Sequence, residues 1–485
     1  RRRPKSGRYD NATTFGRLGV AAELSYSMEY ARRRTENIVR ELWYFVHDQL
    51  KDLNKKIAAE KEMNNNNNDD TAQRALADAL TMLREADHSE KARKQMSREL
   101  GSLVRRWLDF IQNPKNCRNA QRVACAIKPC GFGCNFHHYV YCLITAYATN
   151  RTLLIITPPS WATLLQPASS TCSLTDPKPP ALSAETADGH FSPLLNESSH
   201  ANLSDYQEMS QVEMLPFIDE LDEESREHVP LSVPKDLADK LATFHGNPAA
   251  WWVGQVASYL FQPTSLLMTP IVGVHVRRTD KLLSEASYHS LEEYMLHVKD
   301  YYDQLERSQP VATRRVFLAT DDPTLLPEAE EKYPNYSFLS EANASKVPVD
   351  ERELENSVRG IATDIFFLSR TDFLVCTFSS QVCRLAYELM QTQHGDASAK
   401  FRSLDDIYYF GGQLNHQMVA VESYQAYWED TISLEKGDTI LVAGNHWNGF
   451  SRGFNERTSQ EGLYPSYAVE DTVASYPMPL YSNVH

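Results

Sequence analysis

The chain has 485 residues, 42% hydrophobic and 10% aromatic, enough apolar material for two or three cored units. A formal net charge of −15 at pH 7, with no long Lys/Arg block against it, excludes a nucleic-acid surface as its main business. No apolar run reaches the roughly 18 residues of a membrane-spanning helix and no hydrophobic signal region follows Arg1, so the expectation is a chain soluble throughout or one whose leader or anchor lies outside it.

Residues 20–60 predict a charged helix with a narrow apolar seam. Leu24, Met28, Ala31, Ile38, Leu42 and Phe45 keep 4-3 spacing, and Leu50, Leu53 and Ile57 continue it after a shift. The run Asn64 to Asn68, followed by Asp69 and Asp70, cannot contribute to a core and reads as a solvated break. A second helix is expected from there to Ile111, through Leu76, Leu80, Leu83, Met96, Leu100, Val104 and Trp107. The pair predicts a coiled-coil hairpin or dimerising stalk; the alternative is a pair folded back on its own domain.

From Lys128 to Thr157 a tight loop, Pro129-Cys-Gly-Phe-Gly-Cys134, opens a helix over His137–Ala148 and then a buried strand after Arg151. A Gly-bearing loop at a helix start offers bare N–H groups to an anion. Cys130, Cys134, His137 and His138 do not have a usual zinc spacing, so disulfides are the better expectation. Residues 158–235, rich in Pro, Ser and acidic groups, read as surface loops, and helical spacing with a core Trp251-Trp252 pair returns over 236–259.

The centre of the chain is Pro270 to Glu285, PIVGVHVRRTDKLLSE. A β-branched apolar run reads as a strand covered on both faces, and it leads straight into His275, Arg277, Arg278, Asp280, Lys281 and Glu285. Adjacent guanidiniums at the carboxyl end of such a strand suit phosphate oxygens, the alternative being an ion pair with Asp280. Strands after Arg314 and from Phe373 end at Asp321/Asp322 and at Ser379-Ser380-Gln381. With helices between them, they predict a doubly wound parallel α/β sheet whose polar strand ends share one rim. From Gln413 short alternating runs and turns (Glu435-Lys-Gly-Asp, Gly462-Leu-Tyr-Pro-Ser-Tyr) resemble an SH3 domain. Eight cysteines and Asn-X-Ser/Thr sequons at Asn11, Asn150, Asn196, Asn202, Asn335 and Asn343 favour a lumenal or secreted chain.

Carried by His275-Val-Arg-Arg-Thr-Asp-Lys281, Asp364, the Cys376–Cys383 segment and Ser403-Leu-Asp-Asp-Ile-Tyr-Tyr-Phe410, the chain closely resembles the α1,6-fucosyltransferases of N-glycan cores, glycosyltransferase family 23, from about Leu103 onward. The resemblance implies a GT-B-like fold: a helical stalk (1–112), a catalytic region (113–412) with an open α/β part (113–269) and a Rossmann-type GDP-binding part (270–412), an SH3-like barrel (413–474) and a tail (475–485). It implies metal-independent, inverting transfer of fucose from GDP-fucose to O6 of the innermost GlcNAc on glycoproteins. It implies a homodimer joined by the helices and barrel, and a Golgi type II protein whose anchor is absent from this chain.

In that frame Arg277 stabilises the leaving β-phosphate, and Glu285, polarised by Lys281, is the general base. His275, Arg278, Asp364, Ser380, Gln381, Gly133 and Trp161 would hold the donor, Trp161 standing where the family has a Tyr. Lys128, Asp219, Asp280, Asp405, Asp406 and His446 would hold the acceptor. The implied disulfides are Cys117–Cys172, Cys125–Cys142, Cys130–Cys134 and Cys376–Cys383, which the cysteine count could not choose. Two other readings remain open: a catalytically dead scaffold of coiled coil and SH3 domain, and a fucosyltransferase acting on protein hydroxyls or another glycan.

Overall fold

The computed structural model describes residues 24–60, 71–128, 130–156, 168–173, 212–220, 232–261, 271–278, 288–340, 355–410 and 417–480. Helix α1 (Tyr26–Glu60) is continuous, as its spacing requires, but much of the seam is exposed. Met28 is 74% exposed, Ile38 37% and Leu42 46%, whereas Glu29, Glu41, Trp43 and Tyr44 are buried. The face turned inward carries charge because the charge is paired there. The Glu29 carboxylate lies 3.0 Å from buried Arg93, which also contacts Asp87. The expected second helix is two, α2 (Thr71–Glu85) and α3 (Glu90–Gln112), separated where Asp87 turns back to accept the Ser89 N–H at 2.9 Å. Helix α2 packs on α1, while α3 leaves the stalk and enters the main core with Leu100, Val104, Trp107 and Ile111. Within the chain, α1 and α2 pack on each other while α3 folds back onto the main domain. No helix among the described residues is long and apolar enough to cross a membrane.

Two parallel sheets follow. In the first, β1 (Arg122–Cys125) lies between β2 (Thr152–Ile155) and β3 (Glu213–Met214). Helix α4 (Phe132–Ala148) is the crossover, and short β4 (Val233–Pro234) precedes α5 (Lys235–Phe244) and α6 (Pro248–Leu260). The Trp251-Trp252 pair on α6 is fully buried with Phe136 and Tyr147 of α4. The second sheet is built from β5 (Val272–Val276), β6 (Arg314–Thr320), β7 (Tyr336–Leu339), β8 (Phe373–Cys376) and β9 (Phe401–Ser403), in the order β7-β6-β5-β8-β9 and parallel throughout. Its helices are α7 (Leu291–Leu305), α8 (Leu325–Lys332), α9 (Glu355–Leu368) and α10 (Gln381–Met390). Every residue of β5 is buried, as a central strand covered on both faces should be.

Strands β10 (Gln417–Ala420), β11 (Thr439–Asn445), β12 (Phe450–Asn455), β13 (Gln460–Pro465) and β14 (Val469–Asp471) form an antiparallel sheet ordered β13-β12-β11-β10-β14. It closes on its own core of Ile432, Leu434, Ile440, Tyr464 and Val469. The described part of the expected tail, 475–480, is docked on the main domain. Strand β15 (Ser475–Tyr476) pairs with β4, Met478 is buried in the main core, and the Tyr147 hydroxyl donates to the Pro479 carbonyl at 3.1 Å.

Candidate active site

Strands β6, β5 and β8 are adjacent and parallel, so their polar carboxyl ends open on one rim. His275 is buried at the end of β5, and Arg277 and Arg278 follow it. Asp321 holds both: its Oδ2 lies 3.3 Å from Arg277 Nε, and its Oδ1 accepts the Arg278 N–H at 2.8 Å. The Arg278 Nη1 reaches Asp322 and Glu328, each at 3.4 Å, and its guanidinium lies 5.2 Å from the Tyr288 ring centre. Arg278 is therefore a strand-end ion pair, made with Asp322 and Glu328. Its Nε and Nη2 are buried without a partner among the described residues. Burial works to raise the Asp322 carboxyl, but hydrogen bonds from Thr324 and Arg278 outweigh it and hold it below the ordinary range. Asp364, on α9 against β5 and β6, is also buried.

A second element completes this side. Helices α4 and α10 begin side by side: a Cβ on Gly133 would lie 2.9 Å from the Gln381 Cβ, so only glycine allows the approach. Ser380, buried, is the residue before α10. Two helix N-termini thus present their unbonded N–H groups close together, a disposition suited to a diphosphate. All four disulfides implied by the resemblance are present, Cys130–Cys134 beside Gly133 and Cys376–Cys383 beside Ser380. Cys125, His138 and Cys142 cluster, but both sulfurs are committed to a disulfide and offer no thiolate to a metal.

The residues that fix this pair of helix starts escaped the sequence reading. The Asn135 side chain accepts the Lys128 N–H at 2.7 Å and donates to the carbonyls of Lys128 and Cys130, clamping the loop. His137 Nδ1 faces the Gly133 carbonyl at 2.9 Å and so must be the donor there. Its Nε2 lies 3.1 Å from both oxygens of Glu388, so a proton must lie on that contact as well. Glu388 is fully buried on α10 and accepts the Tyr408 hydroxyl at 2.9 Å. The only sequence signal was a Glu inside the core-like run Leu385-Ala-Tyr-Glu-Leu-Met390.

The proposed acceptor residues lie where β9 leaves the sheet. Asp405 Oδ1 accepts from Ser403 Oγ at 2.9 Å, from the Asp406 N–H at 2.6 Å and from the Ser379 N–H at 3.4 Å. Its Oδ2 is buried and has no partner among the described residues, which leaves it for a ligand hydroxyl. Burial, then the Asp405 charge, raise the Asp406 carboxyl. His446, exposed on the barrel turn between β11 and β12, has its imidazole pushed down by partial burial and then by Arg452. The indole next to it, Trp447, donates to the Ser403 carbonyl at 2.6 Å. Lys128 sits 5.5 Å above the Phe217 ring, beside the 3₁₀ turn Ile218–Glu220 that contains Asp219. The Asp219 side chain, Trp161, Asp280, Lys281 and Glu285 lie outside the described residues.

Comparison with known proteins follows the same lines. Residues 6–409 match the family model for alpha-(1,6)-fucosyltransferase N- and catalytic domains. The chain is 40% identical over 491 residues to the alpha-(1,6)-fucosyltransferase of Drosophila melanogaster, covering 95% of this chain and 76% of that one. It is 34% identical over 466 residues to the Caenorhabditis elegans alpha-(1,6)-fucosyltransferase, covering 91% and 78%. Among solved structures, POFUT1 in complex with GDP-fucose is similar at 13% identity with a TM-score of 0.32, over 61% of this chain and 99% of that one, too slight a likeness to carry weight. On the family model and these two relatives, the chain belongs to the alpha-(1,6)-fucosyltransferase family.

Proposed function

We propose that the protein transfers fucose from GDP-fucose, in α1,6 linkage and with inversion, to the innermost GlcNAc of N-glycans on glycoproteins. The observation that carries this reading, in a chain of this family, is the single rim on which three strand ends and two helix N-termini meet. Cleavage of the fucosyl–phosphate bond leaves charge on the β-phosphate. Arg277, with the N–H groups around Gly133, Ser380 and Gln381, supplies fixed positive potential for it, so the reading calls for no resident metal. His275 and Asp364 read the nucleoside, and Arg278 braces the rim beside them. Glu285 takes the proton from O6 on the face opposite the phosphate, with Lys281 holding its charge. Asp405, Asp406, His446, Lys128, Asp219 and Asp280 bind the glycan, and the orphaned Asp405 Oδ2 supports that assignment.

The finer architecture belongs to the same proposal. Two parallel α/β units with the site at their strand ends support a GT-B-like catalytic region. The strand order of the barrel and its 3₁₀ turn Ser466–Ala468 before β14 support an SH3-like domain. The exposed stripe Met28, Ile38, Leu42 and Leu53 on α1 supports a homodimer. Four disulfides support a lumenal location, in this reading the Golgi.

The test is incubation with GDP-fucose and a glycopeptide, followed by fragmentation of the product. Fucose on O6 of the innermost GlcNAc is expected. Fucose on an outer sugar or on a protein hydroxyl would point to the neighbouring activities, and absence of both transfer and GDP affinity would leave the scaffold reading.

A further inference from the structure

We propose that Trp447 is a positioning residue, whose indole locks the Ser403–Asp406 segment to the barrel and thereby sets acceptor affinity. The inference rests on the acceptor side proposed above and deepens it. Trp447 occupies the turn between β11 and β12 with φ +54°, a left-handed backbone that bulky side chains avoid. Such strain persists where its surroundings impose it. Here the Asn445 side chain accepts the Trp447 N–H at 2.7 Å, and the indole N–H reaches the Ser403 carbonyl at 2.6 Å.

The ring is held by its neighbours, Arg402 against it and Tyr44 and Phe401 edge-on. The guanidinium of buried Arg402, from β9, lies 4.7 Å from the Trp447 ring centre and the same distance from that of Tyr44 on α1. Cation–π contacts of this kind strengthen as water is excluded. Three segments far apart in sequence therefore close on one point: helix α1, strand β9 and the barrel turn. The barrel touches the segment a second time. At the register shift between Val442 and Gly444, a Cβ on Gly444 would lie 3.2 Å from the Asp405 carbonyl oxygen.

What these contacts hold is functional geometry. Ser403, whose carbonyl Trp447 grips, uses its hydroxyl to orient Asp405 and to accept the Phe378 N–H at 2.9 Å. Asp405 in turn is left with one oxygen free for a ligand among the described residues. Displacing Ser403 moves Asp405 and Asp406, whereas Gly133 and the starts of α4 and α10 are held by Asn135, His137 and Glu388. The indole should therefore act on the acceptor more than on the nucleotide, since Ser403 and Asp405 also accept the N–H groups of Phe378 and Ser379 that lead into α10.

Trp447→Phe keeps the ring against Arg402 and removes the N–H. Three quantities are read on the full chain: GDP affinity by calorimetry, glycopeptide affinity by titration with GDP present, and KM and kcat for transfer. Glycopeptide Kd and KM are expected to rise about fivefold or more, with GDP affinity within about twofold and the thermal midpoint within about 2 °C. Trp428→Phe, at a 58% exposed position on the same barrel, should change none of these. Unchanged glycopeptide affinity, or equal loss of GDP and glycopeptide affinity, overturns the proposal. Should Trp447→Phe fail to fold, Gly444→Ala perturbs the same segment more gently, and the same rule applies to it. If the wild-type chain binds GDP and glycopeptide but transfers no fucose, the enzyme reading falls, while the binding titrations still decide the role of Trp447.

Discussion

The two proposed sides of the site are both assembled across the chain, but the donor side joins segments that each carry a local staple, whereas the acceptor segment is placed by contacts to the barrel and to α1 without one. At the donor side, β5 runs into Arg277, and α4 and α10 each start at a loop stapled by a disulfide. At the acceptor side, Asp405 is placed by Ser403, which is gripped by Trp447 of the barrel, which is walled by Arg402 and neighboured by Tyr44 of α1. A stapled loop keeps its own shape. An unstapled segment depends on every body that holds it, so the two halves should fail separately.

The largest expected effect is at Arg277. Arg277→Ala should lower kcat/KM for GDP-fucose by about a thousandfold, and Arg277→Lys should recover only part of it because the guanidinium fork is lost. Steady-state kinetics with saturating glycopeptide would show this; near wild-type turnover would remove Arg277 from the chemistry. Glu388 is where the separation should break down, because it holds both α4 through His137 and the acceptor segment through Tyr408. Glu388→Ala strands a buried imidazole and a buried hydroxyl, and should cost about 3–5 kcal/mol in urea unfolding while weakening both ligands. Loss of one affinity alone would mean the network is not shared. Gly133→Ala, with its new methyl pressed on Gln381, should reduce GDP affinity about tenfold and leave glycopeptide affinity in place. The smallest effect is a pH effect in the barrel. The hydrogen bond from Arg457 holds the Asp438 carboxyl down at about 2, against the pull of burial. A depressed folded-state value means stability that is complete above the unfolded carboxylate value of about 4 and is lost as pH falls from there toward about 2. Over that window glycopeptide affinity should fade before GDP affinity, and Asp438→Asn should flatten the barrel's share of the slope.

The same division explains what could be read from the sequence. The strand from Ile271, the polar ends at Asp321 and Ser380 and the helix ending at Ala148 were legible because local periodicity encodes them, although that helix starts at Phe132 and not at His137. The turns of the terminal antiparallel sheet were legible for the same reason. On α1 the 4-3 spacing marks a stripe without saying whether the opposite face finds partners. Glu29 and Glu41 are buried, and no heptad rule anticipates Arg93 or Asn445 as their neighbours. Strands β1 and β9 are short, and the break at Asp87 needs a side chain that only the folded chain supplies. The disulfide pairs were available through family resemblance alone. The roles of His137, Glu388, Ser403 and Trp447 stayed hidden because each is defined by a contact across many residues of chain.

The account stands most directly on where the diphosphate lies. A structure of the protein with GDP bound should place the β-phosphate within about 3 Å of the Arg277 guanidinium and of the N–H groups at the start of α10. A β-phosphate bound away from that rim, with Arg277 still closed on Asp321, would contradict it.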